Sequence, residues 1–132
     1  MESAILARIP ALRTRGLRRR LPYNHVLPTQ RKKVFSYAEA SVLLPEVRQA
    51  TDEAYRCVER LAASSGHAAQ AEADAIVQAW AQGLLARGLD IKGLWLVDFD
   101  NGSGYYCWRY PEERLEFYHS YEEGFGGRMR IQ

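Results

Sequence analysis

The side chains able to do chemistry gather in the last third of this 132-residue chain: Asp98, Cys107, Arg109, Glu112, Glu116, His119, Glu122, Glu123 and Arg128. Imidazole is the side chain that changes charge near neutral pH and the commonest metal ligand. With Asp98 and Glu122 or Glu123, His119 would make the N/O donor set that divalent ions accept, and so a small metal-assisted hydrolase. That signal is thin: there is no helical H-x-x-x-H and no second histidine nearby, and a packing role among strand aromatics competes. Cys107, between Tyr106 and Trp108, reads first as a small buried apolar residue. Arg109 with Glu112 or Glu116 reads as a turn-stabilising ion pair. Asp98, at the end of an apolar run, is a loop-organising carboxylate or a ligand. Gly124-Phe125-Gly126-Gly127-Arg128 could offer successive backbone amides as an anion-binding nest, with Arg128 adding a bidentate fork. No G-x-S-x-G, phosphate-binding loop or dinucleotide fingerprint occurs, so no cofactor is expected.

Two kinds of element must position these groups. Ser36-Tyr37-Ala38-Glu39 has the form of a capping box. Behind it Leu43, Leu44, Val47, Ala50, Ala54, Cys57, Val58 and Leu61 recur at helical spacing. Pro45 predicts a kink there, or a short turn followed by a new helix. Ala68, Ala71, Ala75, Ile76, Ala79, Trp80, Gly83 and Leu84 mark a second helix, ended by Gly88 in a left-handed cap with Leu89 folding back on Leu84. The alanines would also let this helix approach a second copy, a route to a homodimer. Together the helices form a hairpin over Ser36–Arg87.

The period then shortens to two. Strands are expected at Leu94–Phe99, Tyr105–Tyr110 and Leu115–Ser120, with an Asn-Gly-Ser-Gly loop and a Pro-Glu-Glu turn between them. Connections this short force an antiparallel meander over Gly93–Ser120. A tight turn at Glu112-Glu113 pairs Trp108 with Phe117, Tyr106 with His119, Arg109 with Glu116 and Cys107 with Tyr118. One face would be aromatic and the other would carry an ion pair. A slip of one residue would exchange them.

The net charge of +2 conceals a division. Residues 1–33 hold nine Lys/Arg and one acid, whereas residues 34–132 hold nine Lys/Arg and fifteen acids, a balance of −6. The basic leader, with Pro10, Gly16, Pro22, Pro28 and an Arg18-Arg19-Arg20 run, has a composition that favours disorder. It also suits a transit peptide, an electrostatic arm for nucleic acid or anionic lipid, or translated sequence upstream of the true start. The acidic domain itself is poorly suited to phosphate backbones. Its surplus of strand aromatics points to a small-molecule or protein partner. Cys57 and Cys107 form no C-x-x-C spacing, so a disulfide framework and a zinc ribbon are excluded and a reducing compartment is the default. No apolar stretch is long enough for a membrane helix.

Ser36-Tyr37-Ala38-Glu39-Ala40, Leu43-Leu44-Pro45-Glu46-Val47-Arg48, Gly93 through Asp98-Phe99, Cys107-Trp108-Arg109, Glu112, His119 and Gly124-Phe125-x-Gly127-Arg128 occur in that order. In this the chain resembles the bacterial domain-of-unknown-function family 2203 over about residues 34–131. The resemblance implies a bacterial cytoplasmic protein and marks Asp98, Cys107, Arg109, Glu112, His119 and Arg128 as its matched polar residues. It departs in having Tyr118 where members often carry tryptophan, and Ser120 where they often carry an acid.

The expectation is therefore an α+β domain, residues 34–132, with a helical hairpin packed on a three-stranded meander. Its Gly124–Arg128 segment folds back toward His119. The leading functional reading is a non-enzymatic binding module. Its site draws on Arg109, His119, Arg128, Asp98, Cys107, Glu112 and Trp108. The metal-assisted hydrolase and a nucleic-acid-binding leader are the alternatives.

Overall fold

The structure, a computed structural model, describes residues 33–64 and 66–132. The leader before Lys33, and with it the expectations of disorder, targeting or nucleic-acid binding, lies outside the described residues. Helix α1 spans Tyr37–Ala62 and is opened by the expected capping box. The Glu39 amide donates to Ser36 Oγ at 3.1 Å, and the Ser36 amide donates to Glu39 Oε1 at 2.9 Å. Pro45 does not break the helix. It sits exposed between buried Leu44 and Val47, so core packing holds the chain on course across the one missing backbone bond.

Helix α2 spans His67–Ala86. Its buried stripe is Ala73, Val77, Trp80, Ala81 and Leu84. Ala68, Ala71, Ala75 and Ala79 face solvent instead of the core. Alanine lies on every side of this helix and defines no face; the bulky Val77, Trp80 and Leu84 set the rotation, because they bury more area. Between the helices the Trp80 indole N–H donates to Thr51 Oγ1 at 2.8 Å, and the Thr51 hydroxyl donates to the Val47 carbonyl at 2.7 Å. The C-terminal cap forms as expected. Gly88 has φ +88°, its amide donates to Leu85 O, and the Leu89 amide donates to Leu84 O.

The sheet has five antiparallel strands in chain order, not three. They are β1 (Asp90–Gly93), β2 (Leu96–Asp100), β3 (Gly104–Arg109), β4 (Phe117–Ser120) and β5 (Met129–Arg130). Strand β1 was hidden because Leu94 and Trp95 prolong the apolar run while in fact making the β1–β2 turn. Trp95 takes φ +62° there, a conformation that costs about 1 kcal/mol or more. Its indole packs on Trp80 (4.8 Å between ring centres) and Tyr55 (5.9 Å), contacts that offset the strain. Strand β5 is too short, and too close to the glycines, to show a period.

The β3–β4 register differs by one residue from the tight-turn expectation. Cys107 pairs with Phe117, Tyr106 with Tyr118 and Tyr105 with His119. The connection is a longer loop fixed at both ends. The Arg109 amide donates to Glu112 Oε1, the Trp108 indole donates to the Glu112 carbonyl, and Leu115 is buried in the core. The expected Arg109–Glu116 pair is consequently absent. Glu116 instead meets Arg130 at 2.9 Å. The inner face, with Ile91, Val97, Phe99 and Trp108, packs into the helical core. By strand alternation, Asp98, Cys107, Phe117 and His119 all fall on the outer face.

Candidate functional site

Three adjacent strands bring Asp98 (β2), Cys107 (β3) and His119 (β4) together on that outer face. Asp98 and Cys107 are direct cross-strand partners. One ligating atom from each of the three side chains lies within 4.8 Å of the others. Their exposures are 0%, 0% and 2%, although among the described residues neither α1 nor α2 packs on this face. Among the described residues, side chains pack over it. Tyr105 packs on His119 at 5.4 Å and on Tyr121 at 5.1 Å, and the Lys92 ammonium lies 4.3 Å from the Tyr105 ring centre. Gly104 permits the close β3–β4 approach: a Cβ there would stand 2.6 Å from the His119 carbonyl oxygen.

His119 is held at both ring nitrogens. Nδ1 faces the Ser120 carbonyl at 2.8 Å and Nε2 faces Asp98 Oδ2 at 2.9 Å. A carbonyl only accepts, so Nδ1 carries a hydrogen, and Nε2 is the ring nitrogen turned toward the carboxyl group. Burial raises the Asp98 pKa; the histidine charge and the Cys107 thiol oppose that rise. Asp98 Oδ1 is buried and receives no N–H or O–H hydrogen bond. Burial, reinforced by the Asp98 charge, pushes the Cys107 thiol up to about 12, so it is a protonated thiol at neutral pH.

Beside this cluster the C-terminal segment lays a second structure over the sheet. Phe125–Gly127 forms one 3₁₀ turn, which returns Arg128 to the outer face. The Arg128 guanidinium lies 3.8 Å from the Phe117 ring centre and 4.5 Å from that of Phe125. Arg109 approaches Phe125 at 5.4 Å, and Arg130 approaches Phe117 at 4.9 Å. The result is an alternating stack of Arg109, Phe125, Arg128, Phe117 and Arg130. Arg128 also pairs with Glu112. Its side chain is only 8% exposed, yet Nη1 has no hydrogen-bond partner. Arg109 is exposed, and among the described residues no carboxylate stands within ion-pairing distance of it.

The family model described as an uncharacterised conserved protein, DUF2203, matches residues 33–131. The chain belongs to the DUF2203 family. No curated protein and no solved structure matches it. Among the described residues of this DUF2203 domain, no helix is long and apolar enough to cross a membrane.

The fold thus divides the residues singled out in the sequence into two groups. Asp98, Cys107 and His119 converge, and Cys107 takes the place expected for Glu122 or Glu123. Those two acids are exposed, and the Glu123 amide caps onto Ser120 Oγ. Arg109, Arg128 and Glu112 form the second group, next to the first, near enough that the Arg128 charge acts on the Cys107 thiol. Trp108 is fully buried on the opposite face and acts in the core. In the glycine-rich turn the Gly127 and Arg128 amides are bonded to the Gly124 and Phe125 carbonyls, which takes those two donors away from any anion. Phe117, Phe125, Arg130, Tyr105 and Lys92 were not singled out as site residues. Apart from Lys92 on β1, they carry the one available sequence signal, a density of aromatics and arginines after residue 104, but no spacing rule predicts the stack.

Proposed function

We propose that this DUF2203 domain is a small binding module that recognises an anionic group, a carboxylate or phosphate, at the arginine–phenylalanine stack of its outer sheet face. The buried, unpartnered Nη1 of Arg128 carries this reading. A buried guanidinium donor left without an acceptor costs about 1–3 kcal/mol, a cost that an incoming anionic oxygen removes. Arg109, on the other side of the shared Phe125 ring, supplies a second guanidinium with no ion pair. Among the described residues the three arginines are ion-paired only to Glu112 and Glu116, so the stack carries a net positive charge on a domain whose sequence from residue 34 onward balances to −6. Such contrast steers small anions to one place.

The test is thermal stabilisation of the full chain by inorganic phosphate and short dicarboxylates at constant ionic strength. Saturable stabilisation is expected, with apparent affinity falling about tenfold in Arg109→Ala, as for loss of one charge-assisted contact. Arg109 is exposed, so its removal leaves the core intact. Equal effects of these anions and of chloride on the wild-type chain would refute the reading.

A further inference from the structure

Asp98, Cys107 and His119 do more than pack together. We infer that they form a binding site for a divalent transition-metal ion, with a carboxylate oxygen of Asp98, Cys107 Sγ and His119 Nε2 as its protein ligands. The site is separate from the arginine stack and does not depend on the anion reading. Its three donors come from three neighbouring strands, are buried, and already lie within 4.8 Å of one another. Around an ion with bonds of about 2.0–2.3 Å, tetrahedral donors stand roughly 3.3–3.8 Å apart. A contraction of about 1 Å closes the site.

Two further features point to a metal in preference to a merely polar pocket. Asp98 Oδ1 is fully buried and receives no N–H or O–H hydrogen bond; the only other donor at this carboxyl group is the weak Cys107 thiol, a condition native structures rarely tolerate without a ligand. The Ser120 carbonyl fixes His119 in the tautomer that aims Nε2 at Asp98; a carbonyl partner on the far ring nitrogen is the usual outer-shell device of metal-binding histidines. Coordination by Cys107 requires the thiolate, and a thiolate with an imidazole favours zinc, cobalt or ferrous iron over magnesium or calcium. The fourth tetrahedral position is left to water or an outside ligand.

The test uses the full chain, stripped with chelator, reduced and titrated with Co²⁺ and then Zn²⁺. One equivalent of Co²⁺ is expected to give tetrahedral d–d absorption and a thiolate-to-cobalt charge-transfer band, both bleached by Zn²⁺. Proton release on binding, as the Cys107 thiol becomes a thiolate, should be read from the buffer dependence of the calorimetric heat. Cys107→Ser is expected to abolish the charge-transfer band and to weaken affinity by more than the ~10–100-fold that follows loss of an outer-shell partner. Should Cys107→Ser fail to fold, Asp98→Asn serves as the second variant. It retains the thiolate band and loses affinity. Absence of the band in folded wild-type protein overturns the inference, as does zinc stabilisation of equal size in wild type and folded Cys107→Ser.

Discussion

Raising the pH should destabilise the metal-free domain through one thiol. In the native state Cys107 is fully buried beside Asp98 and ionises only near about 12, against an ordinary value of 9.0 in the unfolded chain. Between those values the unfolded chain has released a proton that the native state keeps. The native state then binds more protons, and stability falls as pH rises. The loss approaches about 1.4 kcal/mol per pH unit and accumulates to about 2 kcal/mol by about pH 10.5. That is a large part of the ~5–15 kcal/mol typical of a domain. Below about pH 8 both states hold the proton and the effect vanishes. The assay is urea unfolding of wild type and Cys107→Ala, with chelator and reductant, at about pH 8 and about pH 10.5. Titration of tyrosines, lysines and Cys57 is common to both chains and cancels in the difference. Cys107→Ala should cost stability at pH 8 because it leaves a small cavity, then gain about 2 kcal/mol relative to wild type at the higher pH. Parallel decline of the two proteins would refute the claim that burial holds this proton.

The Thr51–Trp80 contact gives a second expectation. Thr51→Val keeps the shape but leaves the buried indole N–H without an acceptor, costing about 1–3 kcal/mol in denaturant unfolding. A double-mutant cycle with Trp80→Phe should recover part of that cost, and zero coupling would show that the bond contributes nothing. A third concerns Asp52, whose pKa is lowered chiefly by the Tyr110 hydroxyl that donates to it, with Arg56 assisting. Tyr110→Phe should raise the Asp52 pKa in an NMR titration. Because a lowered carboxyl pKa stabilises above the unfolded value and is lost as pH falls through the folded one, the stability gap between wild type and variant should narrow in acid. A gap unchanged by acid would count against the assignment.

The local rules written in the sequence set the helix start at Ser36, the Schellman end at Gly88, the three central strands and the DUF2203 resemblance. Each depends on neighbours within a few residues, where backbone geometry and side-chain chemistry act directly. The gathering of Asp98, His119 and Arg128 into one region was also legible in outline, since the connections are short and the meander has few alternatives. Other features belonged to tertiary packing. Val77 and Trp80 chose the buried side of an alanine-rich helix whose own pattern was ambiguous. Burial of Trp95 turned an apparent strand into a β-turn. Leu115 in the core and Glu112 against the Arg109 amide moved the β3–β4 register by one residue, and with period two that single step exchanged the faces. It replaced a Trp108–Phe117 pairing with Cys107 beside Asp98 and His119. Composition named the reactive residues, while long-range packing, which no local pattern records, decided which of them share a face.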